Sequence, residues 1–481
     1  MTESPARTDT APNGGGAISD FGIDTTSQSS GEAIRDYFAR LRGGELGSLP
    51  ALLGLAVLVI VFAVVADNFF TLNNTANLVA QGAGKMIIAM GLVFVLLLGE
   101  IDLSAGTLSG VCAAVMAMHY VRGGNILGGM GSTVFYVFVA GMVVAALLAL
   151  LMRIWAGAVL ALIAVVLSMT GFPPATWYGP WLEMLLAVCV GASIGCITGF
   201  MVSKIGMPSF VVTLAMFITW QGVILQFIGE GGVFGIRNQP VLFNVANGNL
   251  SVFGSWLLCA LAAGGYALVV LGEHFSRLRR GLVTQPTPIV MAKAGAVGAL
   301  AIVLTWLLTL DRSPNPDLVT IQGVPYVVPI ILGLLVVGTF VLNRTRYGRH
   351  IYAVGGNAEA ARRAGVNVPK IRASVFVVSA CVAAVGAIVY SSKVGSVDPQ
   401  AGGLDTLLFA VGAAVIGGTS LFGGKGKIAH AVIGGLVLAV VENGLRQLHQ
   451  PAAIVNIVTG LVLLLAATVD ALSRRRAAVS E

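Results

Sequence analysis

The sequence runs to 481 residues, 57% of them hydrophobic and only 10% charged, with a mean hydropathy of +0.90 and a formal net charge of +7. Soluble domains carry about 25% charged residues, so the composition excludes a water-soluble globular protein. It implies an integral membrane protein built of helices, since a helix satisfies its own backbone across a hydrocarbon core of about 30 Å in roughly 20 apolar residues.

Residues 1–48 are rich in Ser, Thr, Gly, Asp and Pro, with little to bury, and read as a disordered cytoplasmic tail. They lack the charged-then-apolar pattern of a cleaved signal, so the first apolar run reads as a retained anchor. Residues 49–472 read as one membrane domain. Its predicted apolar segments are 50–66, 83–98, 104–121, 132–151, 155–169, 182–203, 208–227, 252–271, 292–310, 325–342, 373–392, 405–422, 428–442 and 452–470. The expected fold is all-α and polytopic, with about 12–14 apolar helical segments, several short enough to be re-entrant or broken. Within the sixth segment, Gly191, Gly195 and Gly199 share one helix face, a pattern that permits close helix packing.

If every segment spans and the amino terminus is inside, the basic connections fall on the cytoplasmic side. These are 272–291 with Arg277, Arg279 and Arg280, 343–372 with seven Lys or Arg residues, and a basic tail at 473–481. The connection at 171–181, "GFPPATWYGPW", has no basic residue and carries interfacial Trp and Tyr. Loop topology explains the positive charge better than a nucleic-acid partner does, because the basic residues are not interleaved with a soluble aromatic surface.

Groups able to carry bond chemistry are sparse. Cys112, Cys189, Cys196, Cys259 and Cys381 are scattered in apolar segments and read as small core residues. The histidines stand apart without HExxH, so no metal site is expected, and no GxSxG elbow or proton-relay pair of carboxylates occurs. "IGGTSLFGGKGK" at 416–427 is glycine-rich but is not GxxxxGK[ST], and no strand precedes it. It reads as a broken helix or a turn, and the chain is expected to bear no ATPase site. Ionisable residues in or beside apolar segments are Glu100, Asp102, His119, Glu183, His430, Glu442 and Asp470. Asp102 stands at a break followed by Ser104, where it either caps the next helix or lines a path.

The stretch "GGNAEAARRAGVNVPK" at 355–370 is polar in an otherwise apolar chain. Asn357 suits an N-cap, Glu359 the first turn, Arg362 and Arg363 the last turn, and Gly365 a left-handed close. Two turns are too few to be stable alone in water. The helix is either an ordinary surface feature of a long loop or one that a partner holds.

Four stretches together resemble the permease subunits of bacterial ABC importers of the ribose/xylose class. They are "GEIDLSAGTLSG" (99–110), "MPSFVVTLAMFITWQG" (207–222), "RYGRHIYAVGGNAEAARRAGVNV" (346–368) and the run 404–445, in the family's order. "GEHFSRLRRGLVTQPTP" (272–288) is similar to the xylose-type permeases. The resemblance implies a plasma-membrane permease for a monosaccharide, a pentose such as xylose, with both termini cytoplasmic. It also implies a homodimer, separate ATPase subunits that bind ATP and Mg, an extracytoplasmic sugar-binding protein, and no cofactor on this chain. "EAARRAG" looks like the EAAxxxG coupling motif, which puts Gly356, Asn357, Glu359, Ala360, Ala361 and Gly365 at the ATPase contact. Two departures stand out: residues 132–180 add a pair of segments, and Gln221 occupies a position where the family commonly has Arg.

For the translocation path the neutral hydrogen-bonding candidates are Ser104, Thr213, Thr219, Gln221, Thr419 and Ser420, beside Asp102. Each could equally bond a neighbouring helix or its own backbone. A rival reading is a secondary sugar transporter driven by an ion gradient, whose uptake would survive loss of an ATPase partner. A membrane-embedded glycosyltransferase would call for clustered charges at an interface, which the sequence lacks.

Overall fold

The computed structural model describes residues 48–282, 284–313, 317 and 320–479, without the side chains of 466, 467 and 469–479. The expected N-terminal tail therefore lies outside the described residues, save Ser48, as do the side chains of the basic C-terminal tail. Eighteen helices follow in order. They are α1 (Leu49–Val65), α2 (Leu72–Leu97), α3 (Ala105–Val121), α4 (Ile126–Met130), α5 (Ser132–Leu151), α6 (Trp155–Thr170), α7 (Gly179–Phe200), α8 (Ser209–Ile228) and α9 (Pro240–Asn247), then α10 (Val252–Arg279), α11 (Thr287–Thr309), α12 (Val327–Arg344), α13 (Arg346–Gly356), α14 (Ala358–Arg363), α15 (Val368–Val394), α16 (Leu404–Ile416), α17 (Ile428–Gln447) and α18 (Ala452–Val479). Among the described residues nine helices are long and apolar enough to cross a membrane, and five are shorter apolar helices. They coincide one for one with the predicted segments.

Two boundaries differ informatively. The second segment was expected to start at 83, but α2 begins at Leu72, where Thr71 Oγ1 caps it by accepting from Asn74 N at 3.3 Å. Its polar first turns, "LNNTANLVAQG", depress the hydropathy without breaking the helix. The twelfth segment, expected to reach 422, ends at Ile416, because Gly417 and Gly418 (φ +108°) close α16 early.

The described part of one unit is residues 48–259, 302–313, 317 and 320–479, and its centre is α2, α3, α7 and α15. Lipid is as apolar as leucine, so helices in a bilayer gain from close contact rather than from burial alone. That is how α7 uses its glycines: a Cβ at Gly191, Gly195 or Gly199 would come within 2.7–2.8 Å of the carbonyl oxygens of Ala380, Phe376 and Ala373 on α15. Larger residues would push the two backbones apart. α7 ends in a π turn, Met201–Ile205, stopped by Gly206. The segment pair at 132–180 forms a hairpin, α5 and α6, that packs on α7 through Ala145, Ala146, Ala149, Ala158, Ala161 and Ala192. A two-stranded antiparallel pairing joins β1 (Phe234–Gly235) to β2 (Ser396–Val397), tying the connection after α8 to the one after α15.

The described part of the other unit is residues 260–282 and 284–301. Here parts of α10 and α11 are joined through a left-handed Gly281, with His274 Nε2 3.0 Å from Thr287 Oγ1 and Lys293 Nζ donating to Gln285 Oε1 at 2.9 Å.

Candidate functional site: a loop helix and two helix breaks

The loop between α12 and α15 holds two short helices. Asn357 caps α14, its Oδ1 accepting from Ala360 N at 2.9 Å. At the other end Gly365 takes φ +84°, its N–H donates to Arg362 O, and Val366 N donates to Ala361 O, both at 3.0 Å. That is a Schellman close, the one the Gly365 position predicts. Glu359 bridges Arg362 and Arg363 at 3.3 Å, but all three side chains are more than half exposed, so these pairs contribute little. Ala361 is the buried residue of α14, while Glu359 and Ala360 face outward. The helix is formed and capped, yet its outer face has no cover among the described residues.

α13, which leads into it, is anchored firmly. Tyr347 Oη lies 3.0 Å from Ser374 Oγ on α15, and burial pushes its phenol up to about 12, so it stays neutral. Tyr352 Oη donates to Gly426 O at 2.8 Å. A Cβ at Gly355 would collide with Leu97 O and lie 3.0 Å from Gly424 N.

Those contacts fall on the two breaks. α2 also ends in a Schellman close: Gly99 has φ +74°, its N–H donates to Leu96 O at 2.9 Å, and Glu100 N donates to Val95 O at 3.3 Å. The motif leaves Leu97 O without an intrahelical partner. Gly424 N, from the break after α16, supplies the missing bond at 2.9 Å. Glu100 pairs with Arg372 of α15 at 3.2 Å, with side chains 14% and 34% exposed. The end of α13, both breaks and the start of α15 are thus joined by direct bonds.

Several sequence candidates sit here. Asp102, 3% exposed, accepts from Ser104 N at 3.0 Å and Ser104 Oγ at 2.7 Å, an Asx turn just ahead of α3, whose N-cap position is Ser104. Ser209 Oγ accepts from Ile101 N at 3.2 Å and Thr213 Oγ1 donates to Ile101 O at 3.2 Å, so α8 grips the first break. Thr419 Oγ1 lies 3.4 Å from His430 Nδ1, and Ser420 Oγ accepts from Phe422 N at 3.1 Å in the second break. Gln221 and Thr219 are not part of this group. Gln221 Nε2 donates to Pro399 O at 2.6 Å, and the exposed Thr219 bonds back to Ala215 O.

A second polar group joins α2 to α17. Lys85 stands midway along the 26 residues of α2, and its ammonium lies 3.2 Å from Glu442 Oε2 and 4.9 Å above the Phe409 ring. Arg446 reaches Glu442 Oε1 at 2.6 Å. Single charges near a bilayer centre cost about 2.5–3.5 kcal/mol on insertion scales, so pairing is expected. Lys85 escaped the sequence reading because the segment started at 83, which put it at a helix end; the capping signal at Thr71 would have placed it centrally. A third pair, His119 Nδ1 and Glu183 Oε1 at 3.1 Å, is wholly buried between α3 and α7, with Phe172 stacked on the imidazole at 3.8 Å between ring centres. Among the described residues no cluster of His, Cys, Asp or Glu could hold a metal.

Residues 154–467 match the family described as branched-chain amino acid transport system / permease component. The chain is 30% identical over 437 residues to the xylose transport system permease protein XylH of Escherichia coli K12, covering 88% of this chain and 94% of that one. It is 28% identical over 441 residues to XylH of Haemophilus influenzae, covering 91% and 99%, and 28% identical over 447 residues to the ribose import permease protein RbsC of Escherichia coli K12, covering 93% and 98%. No solved structure matches. With its polytopic helical fold and this coverage, the chain belongs to the ribose/xylose class of ABC importer permeases.

Proposed function

We propose that this chain carries a monosaccharide, a pentose such as xylose, inward across the bacterial plasma membrane, using ATP hydrolysed on separate subunits. α14 is the contact with those subunits: Glu359, Ala360 and the caps at Asn357 and Gly365 present a small helical end that enters a groove, with Gly356 as the joint before it. The observation that carries this reading is a helix finished at both ends yet uncovered on its outer face among the described residues, in a loop bonded to two helix breaks through Tyr352 and Arg372. Two turns need a partner to bury them. Basic residues around the loop set it on the cytoplasmic side, with both termini, by the excess of Lys and Arg there.

Two copies of the chain pair around the path, and an extracytoplasmic sugar-binding protein delivers the cargo. ATP and Mg bind the partner subunits; this chain holds no cofactor and breaks no bond itself. Closure of the ATPase subunits displaces α14, and α13, bonded through Tyr352 to Gly426 and packed through Gly355 on Leu97 and Gly424, shifts the breaks after α2 and α16. Asp102 and Ser104, with Thr213, hold the first break in shape, and Thr419 and Ser420 shape the second. Gln221 and Thr219, on the outer part of α8, offer neutral groups to sugar hydroxyls. Radiolabelled pentose uptake and ATPase pull-down for Glu359→Lys and Gly365→Leu test this. Loss of both at normal membrane levels is the expected result, and undiminished uptake in both variants would overturn it.

A further inference from the structure

We infer that the polar side chains between α2 and α17 form a sugar-contacting station, built on Lys85, Glu442 and Arg446. The inference rests on the sugar-transport reading above and adds where the cargo is touched. Three observations carry it.

The first is exposure. The His119–Glu183 pair is sealed, with both side chains 0% exposed, as befits a pair that only joins helices. Glu442 is 22% and Arg446 63% exposed, and Gln81, one turn from Lys85, is exposed as well. Charged side chains on apolar helices do not face lipid tails; they face water or protein.

The second is redundancy. α2 and α17 are already held by a neutral amide zipper: Asn74 and Asn443 exchange bonds at 2.8 and 2.9 Å, Asn443 Nδ2 donates to Gln81 Oε1 at 3.1 Å, and Gln447 Nε2 donates to Asn74 Oδ1 at 2.8 Å. Holding the helices together does not require the ion pair.

The third is chemistry. A sugar presents hydroxyls that both donate and accept. Here a carboxylate lies between an ammonium and a guanidinium, and Phe409 sits under the ammonium. Lys393 Nζ, donating to Asn77 Oδ1 at 3.1 Å, extends the polar strip along α2. Because the charges are already paired with each other, a hydroxyl must compete for them, which keeps the contact weak enough to release.

The test uses the reconstituted complex with its ATPase subunits and binding protein, and radiolabelled xylose as the probe. Lys85→Met, Glu442→Gln and the exchange Lys85→Glu with Glu442→Lys are compared for ATP-dependent uptake, ATP hydrolysis, membrane level and pairing of the two copies. The expected result is that each single variant keeps its level, its hydrolysis and its pairing, while uptake falls about tenfold, the loss of one bond to a charged group. The exchange does not restore it, since the donors and acceptors have swapped helices. Restoration by the exchange would make the pair purely structural, unchanged uptake would remove the station, and loss of pairing would make the strip an interface between copies; each overturns the inference. A wild-type complex without ATP-dependent xylose uptake would instead overturn the transport reading.

Discussion

The two ends of α2's polar wiring differ in kind. At the break after Leu97, contact is made mainly by backbone groups and glycines, with one ion pair beside them: Gly424 N on Leu97 O, Gly355 flat against the same carbonyl, one tyrosine hydroxyl on Gly426 O, and Glu100 on Arg372. Midway along the helix, contact is made by long charged side chains that remain partly exposed. Backbone contacts have little rotamer freedom and transmit displacement faithfully, whereas long side chains can exchange partners without moving a helix. The first arrangement suits mechanical linkage and the second suits a passing ligand. Family membership accounts for neither choice by itself; the local chemistry does.

That contrast can be broken most severely at Gly355. Leucine there collides with Leu97 O, and overpacking of this kind costs about 1–3 kcal/mol, before the loss of the Leu97–Gly424 bond. The expected outcome of Gly355→Leu is a lower thermal unfolding temperature of the purified protein together with abolished uptake; an unchanged unfolding temperature would show that the backbones do not meet. Glu100→Gln comes next. Its pair with Arg372 is partly exposed, so stability should change by no more than about 1 kcal/mol, while sugar moved per ATP hydrolysed falls. Tyr352→Phe removes one hydrogen bond, worth about 0.5–1.5 kcal/mol, and should lower the unfolding temperature slightly and uptake partially. The smallest structural effect belongs to Glu359→Gln, whose exposed pairs within α14 are worth no more than about 0.5 kcal/mol. Any large loss of ATPase pull-down in that variant would therefore report docking rather than folding.

Much of this was readable in the chain beforehand, for stated reasons. Hydropathy located every apolar helix because long apolar runs have few alternatives in a membrane. The caps of α14 were legible because Asn357 and Gly365 act locally. The bonds of Asp102 are local too, for its partner Ser104 is two residues away. Pairings that span hundreds of residues were not legible: Leu97 with Gly424, Glu100 with Arg372, and Lys85 with Glu442 depend on how helices dock, and no periodicity encodes that. The group of neutral path candidates illustrates the limit, since Thr213 joins the first break whereas Gln221, on the same helix, bonds the connection after α15.

The most direct measurement is the ratio of xylose transported to ATP hydrolysed in the reconstituted complex, wild type against Glu100→Gln and Arg372→Met. If the junction links α14 to the helix breaks, both variants keep ATPase association and hydrolysis while the ratio drops about fivefold, a linkage loss of about 1 kcal/mol. A ratio equal to wild type in both would contradict the linkage.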